Sequence, residues 1–497
     1  MKNCTKLVSK VLLVVMLVLL VSSSFASSFK SMENYYSGRA PKYVFVFIGD
    51  GMSFPQIASA EMFLGNRDKL STIGLRGLNF TQFPASGAAN TFDLSSFIPD
   101  SASTATSIAT GYKTLAGVIN MDVSKTIEYT PITEMLKEKG YKIGVVSSVP
   151  ITHATPAAFY AKVPSRNDAY NIALQLADSG FEYFGGGAFQ RVDGAEGNIF
   201  EILETKGYKV VNEKNDILNL NRKDGKVVAI SPILDDTAMP YELDRKPGEL
   251  SLADFVSKGI ELLYNPTGFF MMVESGKIDW AGHANDAAAS IHDTIAFAAA
   301  IEEALIFQKR FPEDTLIIVT GDHECGGLTI GFAGTAYETF FDKIGQVNMT
   351  HVEFNKVVNE YRNSTTIEKA NIKDLAMDLK HAYGLLFPED LYASYNSGMV
   401  LNAYEISRLE KALKQTMTPR NERNYSVEER LMYGGYEPLT ITLSHIVNNK
   451  AGVQYTSFAH TALPVPVFAI GAGNELFNGY YDNTDIFFKM ASILGLN

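Results

Sequence analysis

The chain has 497 residues with 43 basic and 55 acidic side chains, a formal charge of −12 and 46% hydrophobic residues. That length supports a large core built on one dominant sheet, and the acidic balance excludes nucleic acid as the main partner. Small phosphorylated substrates stay open, because a local metal site reverses the field around it.

Lys2, Lys6 and Lys10 form a basic segment before an apolar run from Val11 to Val21, and Ser24-Phe25-Ala26 offers a cleavage site. This is a secretory signal peptide pattern over residues 1–26; the run is short for a membrane span. An exported protein, periplasmic or extracellular, without stable membrane insertion after cleavage is expected. Cleavage removes three lysines and no acids, which moves the charge from −12 to −15. Cys4 leaves with the leader, so Cys325 is the one thiol of the mature chain and no intramolecular disulfide is expected.

Tyr43 to Ile48 reads as a buried strand ending in Gly49-Asp50-Gly51, with a helix over 55–65. The small residues Ala102 to Thr110 predict a tightly packed helix stopped by Gly111, with Ser101 in its first turn and Asp100 as its cap. Further helices are expected over 130–139, 167–179, 252–264, 285–310 and 485–494. Strands are expected over 141–148, 181–187, 268–273, 315–320 and 465–470. Alternation of strands and helices predicts an α/β protein with a large, mostly parallel central sheet and helices on both faces. Residues 340–430 break that rhythm and read as an inserted, mainly helical subdomain, lid-like or crown-like, within a catalytic domain spanning 27–497.

Ligands of α/β sheets bind outside the carboxyl ends of strands. Asp50, Glu274 and Asp322-His323 each end a predicted strand, so three acidic loops are expected at one edge. Asp279 and His283 share a helix face at i,i+4 spacing, which suits a shared metal. Together with His460 these oxygen and imidazole donors suit zinc. Asp50, Glu274 and a hydroxyl such as Thr155 suit magnesium. Cys325 reads as a small buried residue, with a soft metal ligand as the alternative.

Asp50-Gly51, Asp100-Ser101-Ala102, His153-Ala154-Thr155-Pro156, Ser165-Arg166, Glu274 to His283, Gly321-Asp322-His323 and His460-Thr461 together resemble the alkaline phosphatase family in type, order and approximate spacing. The resemblance implies that Ser101 is the nucleophile and becomes phosphoserine, and that Arg166 holds two phosphate oxygens. It implies a first zinc on Asp279, His283 and His460, and a second on Asp50, Asp322 and His323. It implies one magnesium on Asp50, Thr155 and Glu274. His153 and Trp280 stand where one branch of the family has aspartate and lysine; both are expected beside the ligands, with His153 acting through water and direct metal binding by His153 as the alternative. The implied protein is a homodimeric phosphoric monoester hydrolase acting on small phosphomonoesters and releasing inorganic phosphate. Two alternatives stay open: a phosphodiesterase or nucleotide pyrophosphatase of the same superfamily, and a non-enzymatic phosphate- or metal-binding protein.

Overall fold

The computed structural model describes Tyr36, residues 38–67 and residues 72–496; the leader read over 1–26 lies outside these residues. The strands of its large sheet are β1 (Tyr43–Gly49), β2 (Ala85–Asn90), β3 (Lys142–Ser147), β4 (Tyr183–Gly186), β5 (Tyr208–Val211), β6 (Lys226–Ile230), β7 (Phe269–Ser275), β8 (Thr315–Gly321), β9 (Val465–Gly471) and β10 (Gly479–Asp482). They lie in the order β10-β2-β9-β8-β1-β7-β3-β4-β6-β5. Strand β9 runs antiparallel to both neighbours, and every other neighbouring pair is parallel. This is the expected α/β class. The sequence reading assigns no range to β2 or β10: β2 is Ala-Ser-Gly-Ala-Ala-Asn, which lacks the β-branched and aromatic residues that mark a strand.

Among the helices are α1 (Phe54–Asn66), α2 (Ser101–Thr110), α3 (Leu252–Leu263), α4 (Lys277–His283), α5 (Ala287–Gln308), α6 (His351–Ser364), α7 (Ala403–Met417), α8 (Pro438–Ala451) and α9 (Thr484–Leu494). Strand β1 shows how the two faces are filled. Val44, Val46 and Ile48 join the core that holds Ala105 and Ile108 of α2 and Ile486 and Met490 of α9. Tyr43, Phe45 and Phe47 join the opposite core, with Phe255 of α3 and Phe297 and Ile301 of α5. Each such side chain contributes about 1.5–3 kcal/mol when fully buried, and the strict alternation locks the register. The helix expected from Asn285 begins instead at Ala287, because Asn285 takes φ +50° and Asp286 caps α5 by accepting from the Ala289 N–H.

Beyond this sheet the chain from Phe341 to Ala451 is rich in helices. Phe354 and Val358 of α6, Leu409 and Leu413 of α7, and Leu443 and Val447 of α8 form a third core. Phe63 of α1 and Ile291 of α5 belong to the same core, so the helical region is packed directly onto helices of the sheet layer. Helix α8 lies past residue 430 and has no counterpart in the sequence reading. Among the described residues no helix is long and apolar enough to cross a membrane.

Candidate active site

Parallel pairing sets the ends of three neighbouring strands level. Gly49 of β1 lies opposite Gly321 of β8 and Ser275 of β7, and Glu274 lies opposite Ile48. Asp50, Glu274 and Asp322 therefore gather at one sheet edge, all fully buried. Gly51 follows with φ +71°, and a Cβ there would stand 2.7 Å from the Asp279 Cα. Only glycine allows this turn to reach α4. Its N–H donates to Asp322 Oδ1 at 3.1 Å, as the His323 N–H does at 2.9 Å.

Helix α2 aims its first residue at this edge. Asp100 caps it, with Oδ1 accepting from the Ser103 N–H at 3.1 Å, and Gly111 ends it in the left-handed conformation. All ten residues of α2 are buried, which its small side chains make possible. Ser101 Oγ lies 3.1 Å from His323 Nε2 and donates to Asp50 Oδ1 at 3.5 Å. Arg166 Nη1 donates to Asp100 Oδ2 at 2.9 Å, and its Nη2 lies 3.0 Å from His153 Nε2. Thr155 Oγ1 donates to the other Asp50 oxygen at 3.3 Å. The Trp280 ring meets the His153 ring edge-on at 6.2 Å.

Helix α4 and the loop at His460 complete the cluster. Asp279 lies 3.4 Å from His283 Nε2 through one oxygen and 3.4 Å from His460 Nε2 through the other. The two Nε2 atoms are 3.1 Å apart. Each ring is anchored from behind: His283 Nδ1 donates to the Phe458 carbonyl at 2.6 Å and His460 Nδ1 to the Pro99 carbonyl at 2.7 Å. Nδ1–H donation to a carbonyl is what turns Nε2 into a metal ligand.

The charge balance points the same way. Burial, with Asp322, Asp279 and Glu274 close by, pushes the Asp50 carboxyl well above the usual range. Burial also lifts Asp322 to about 6 and Glu274 to about 8. Burial and the Arg166 guanidinium hold His153 down to about 3, so its ring stays neutral. Burial opposes charge on His283, yet Asp279 raises it to about 9. Buried carboxylates packed together call for cations.

Among the described residues, three groups of side chains each bring their donor atoms within 4.8 Å of one another: Asp279, His283, Cys325 and His460; Asp50, Asp279 and His323; and Asp50, His153 and Glu274. Glu274 Oε1 and Asp279 Oδ1 are buried and accept no hydrogen bond. Open carboxylate oxygens beside imidazole nitrogens fit divalent cations. Asp322 of the expected second set stands next to its group, with Oδ2 3.2 Å from His323 Nε2.

Two residues beside the site escape the sequence reading. Ser147, the last residue of β3, donates to Glu274 Oε2. Buried Glu324 accepts from Gln56 Nε2 at 2.8 Å, from the Gly327 and Leu328 N–H groups at 3.0 Å, and from the Thr461 hydroxyl. Their signal was position: one ends a strand beside Glu274, the other continues Asp322-His323.

The family model described as Alkaline phosphatase matches residues 41–496. The protein named Alkaline phosphatase 3 of Bacillus subtilis (strain 168) is 29% identical over 456 residues, covering 90% of this chain and 87% of that one. The crystal structure of a cold-active alkaline phosphatase from a Shewanella species superposes with a TM-score of 0.74 at 26% identity, covering 91% of this chain and 99% of that one. The alkaline phosphatase structure from Thermus thermophilus gives a TM-score of 0.75 at 25% identity, covering 93% of each chain. The match spans both the sheet and the sequence segments that build its acidic edge, and the chain belongs to the alkaline phosphatase family.

Proposed function

We propose that the protein is an exported phosphomonoesterase that works through a phosphoserine at Ser101. One observation carries the reading: a capped serine at a helix N-terminus faces His323 and Asp50 while Arg166 is held on the capping residue. Asp279, His283 and His460 would hold one zinc, Asp50, Asp322 and His323 a second, and Asp50, Thr155 and Glu274 a magnesium. Bound there, these ions supply Lewis-acid charge that lowers the pKa of a hydroxyl or water and neutralises phosphoryl oxygens.

The chain's own residues do the rest. The first N–H groups of α2 and its positive dipole end receive the phosphoryl oxygens. Arg166 presents a planar fork to the same group, and Asp100 fixes where that fork points. Neutral His153 accepts from Arg166 and gives the guanidinium a second hold beside Asp100. Ser101 Oγ bonds to phosphorus as the bond to the ester oxygen breaks, and the alcohol departs with the serine's proton. Water then attacks phosphorus, the Ser101 Oγ bond breaks, and phosphate leaves as the serine recovers a proton. Recognition rests on the terminal phosphoryl group, which suits many small monoesters. Removal of the 1–26 leader, a homodimer, and a lid or crown role for residues 340–430 belong to the same reading.

The test compares hydrolysis of p-nitrophenyl phosphate and bis-p-nitrophenyl phosphate by purified protein, before and after chelation. Fast monoester cleavage that chelation abolishes and zinc with magnesium restores is expected. Faster cleavage of the diester would assign the protein to phosphodiester chemistry, and cleavage of neither by metal-loaded protein would leave a binding protein.

A further inference from the structure

The cluster at α4 contains a donor for which the proposed reaction has no use. Cys325 is fully buried and pairs with His460 across a two-residue antiparallel ladder. Residues directly opposite on such a ladder project to the same face, so the thiol and the imidazole share one side. The Cys325 N–H donates to the Gly51 carbonyl at 3.1 Å, which ties the ladder to the loop after β1. Helix α4 approaches from the other side at Gly282, the residue before His283. A Cβ on Gly282 would stand 2.9 Å from the Cys325 Cβ and 3.1 Å from its Sγ. Glycine at this position is what lets α4 lie against the thiol.

The result is that the Cys325 Sγ, Asp279, His283 and His460 donor atoms all lie within 4.8 Å of one another. A second observation points to a ligand in their midst: Asp279 Oδ1 is buried in this group, where it meets His460 Nε2 at 3.4 Å without a well-formed hydrogen bond. Glu324, the neighbour of Cys325, is fixed by its own hydrogen bonds to Gln56, Gly327 and Leu328, which holds the ladder in place.

We propose that Cys325 is a fourth protein donor to the cation held by Asp279, His283 and His460, making this a Cys/Asp/His2 site that favours thiophilic divalent ions. This rests on the metal-site reading above. Binding replaces the thiol proton, released to solvent, with a sulfur–metal bond. A thiolate donor shifts preference toward zinc and cadmium and away from magnesium, while the Asp50 and Glu274 site keeps hard, oxygen-binding character.

Cobalt(II) is the probe, in the full chain carrying Cys4→Ser so that Cys325 is the sole thiol. After chelation and cobalt loading, the expected spectrum has a near-ultraviolet sulfur-to-cobalt charge-transfer band with visible ligand-field bands. In Cys325→Ser the near-ultraviolet band disappears and the visible bands remain. The cadmium dissociation constant should rise by more than about tenfold, at least the cost of losing an outer partner of a ligand. Visible bands without the near-ultraviolet band in the parent protein would remove Cys325 from the metal and leave the histidine and carboxylate site standing. Persistence of the band in Cys325→Ser would also overturn the proposal. No cobalt uptake at all would overturn both the proposal and the metal site beneath it. The parent spectrum decides the matter even if the serine variant does not fold.

Discussion

Asp100 uses its two oxygens for two different partners. Oδ1 accepts from the Ser103 N–H at 3.1 Å, and Oδ2 accepts from Arg166 Nη1 at 2.9 Å. One carboxylate thus fixes both the helix that begins with Ser101 and the guanidinium proposed to hold phosphate. Burial opposes its charge, yet Arg166 and the backbone N–H groups of Gly117 and Ser103 keep its carboxyl below the ordinary range. Asp100→Asn keeps a good cap but loses the ion pair. We expect a several-fold rise in the phosphate inhibition constant with little change in thermal midpoint. Asp100→Ala should weaken phosphate similarly and also cost about 1 kcal/mol of stability through the lost cap. Unchanged inhibition in both variants would show that the Asp100 ion pair does not position Arg166 for phosphate.

Trp280 is the single tryptophan of the chain, and it follows Asp279. The Lys277 ammonium lies 4.7 Å from its ring and the His153 ring 6.2 Å away. Chelating the proposed cations would leave buried carboxylates facing one another, so the loops around the indole should shift. A change in intrinsic fluorescence, reversed by zinc, is expected together with a lower thermal midpoint. Constant fluorescence on protein verified as metal-free and folded would contradict this placement.

Gly282 tests the close approach of α4. Gly282→Ala places a methyl against the Cys325 side chain and, at 3.0 Å, against its carbonyl oxygen. Overpacking of this kind costs about 1–3 kcal/mol. A drop in thermal midpoint accompanied by weaker zinc binding is expected, measured by calorimetric titration. Unaltered zinc affinity would mean that α4 is not held in register by this contact.

His445 gives a pH test away from the cluster. Its Nε2 lies 3.0 Å from Asn285 Oδ1, and burial, with Arg408 adding to it, lowers the ring from 6.5 to about 4. The unfolded chain therefore binds a proton that the folded chain refuses between pH 6.5 and 4. Stability linked to this group is complete above 6.5 and is lost as pH falls through that window, by up to about 3 kcal/mol. His445→Gln removes the titration. The thermal-midpoint difference between parent and variant should shrink from pH 7.5 to pH 5; a constant difference would contradict a buried neutral ring.

The parts of the site that local chemistry specifies were legible. Asp100, the small residues of α2 and Gly111 announce a capped, close-packed helix, and the structure has it from Ser101 to Thr110. The spacing of Asp279 and His283 reads as one helix face, and both lie on α4. What stayed hidden depends on partners distant in the chain. The contact of His460 with Asp279 spans 181 residues, and its ladder with Cys325 is only two residues long. Neither leaves a periodicity. Strand β2 was invisible because it is built of Ala, Ser, Gly and Asn, and at Gly87 the turn before β10 leaves no room for a side chain: a Cβ there would stand 2.3 Å from the Phe477 carbonyl oxygen. Helix α8 is buried over most of its length, so it shows no polar face to set its period.

Ser101 is proposed to carry the phosphoryl group during turnover. The direct test is to mix metal-loaded protein with a monoester, quench in acid, and map phosphorylation by mass spectrometry. One phosphoryl group on Ser101 is expected, none in Ser101→Ala, and loss of most turnover in that variant while phosphate binding stays measurable. An unmodified Ser101 peptide together with normal turnover by Ser101→Ala would contradict that role.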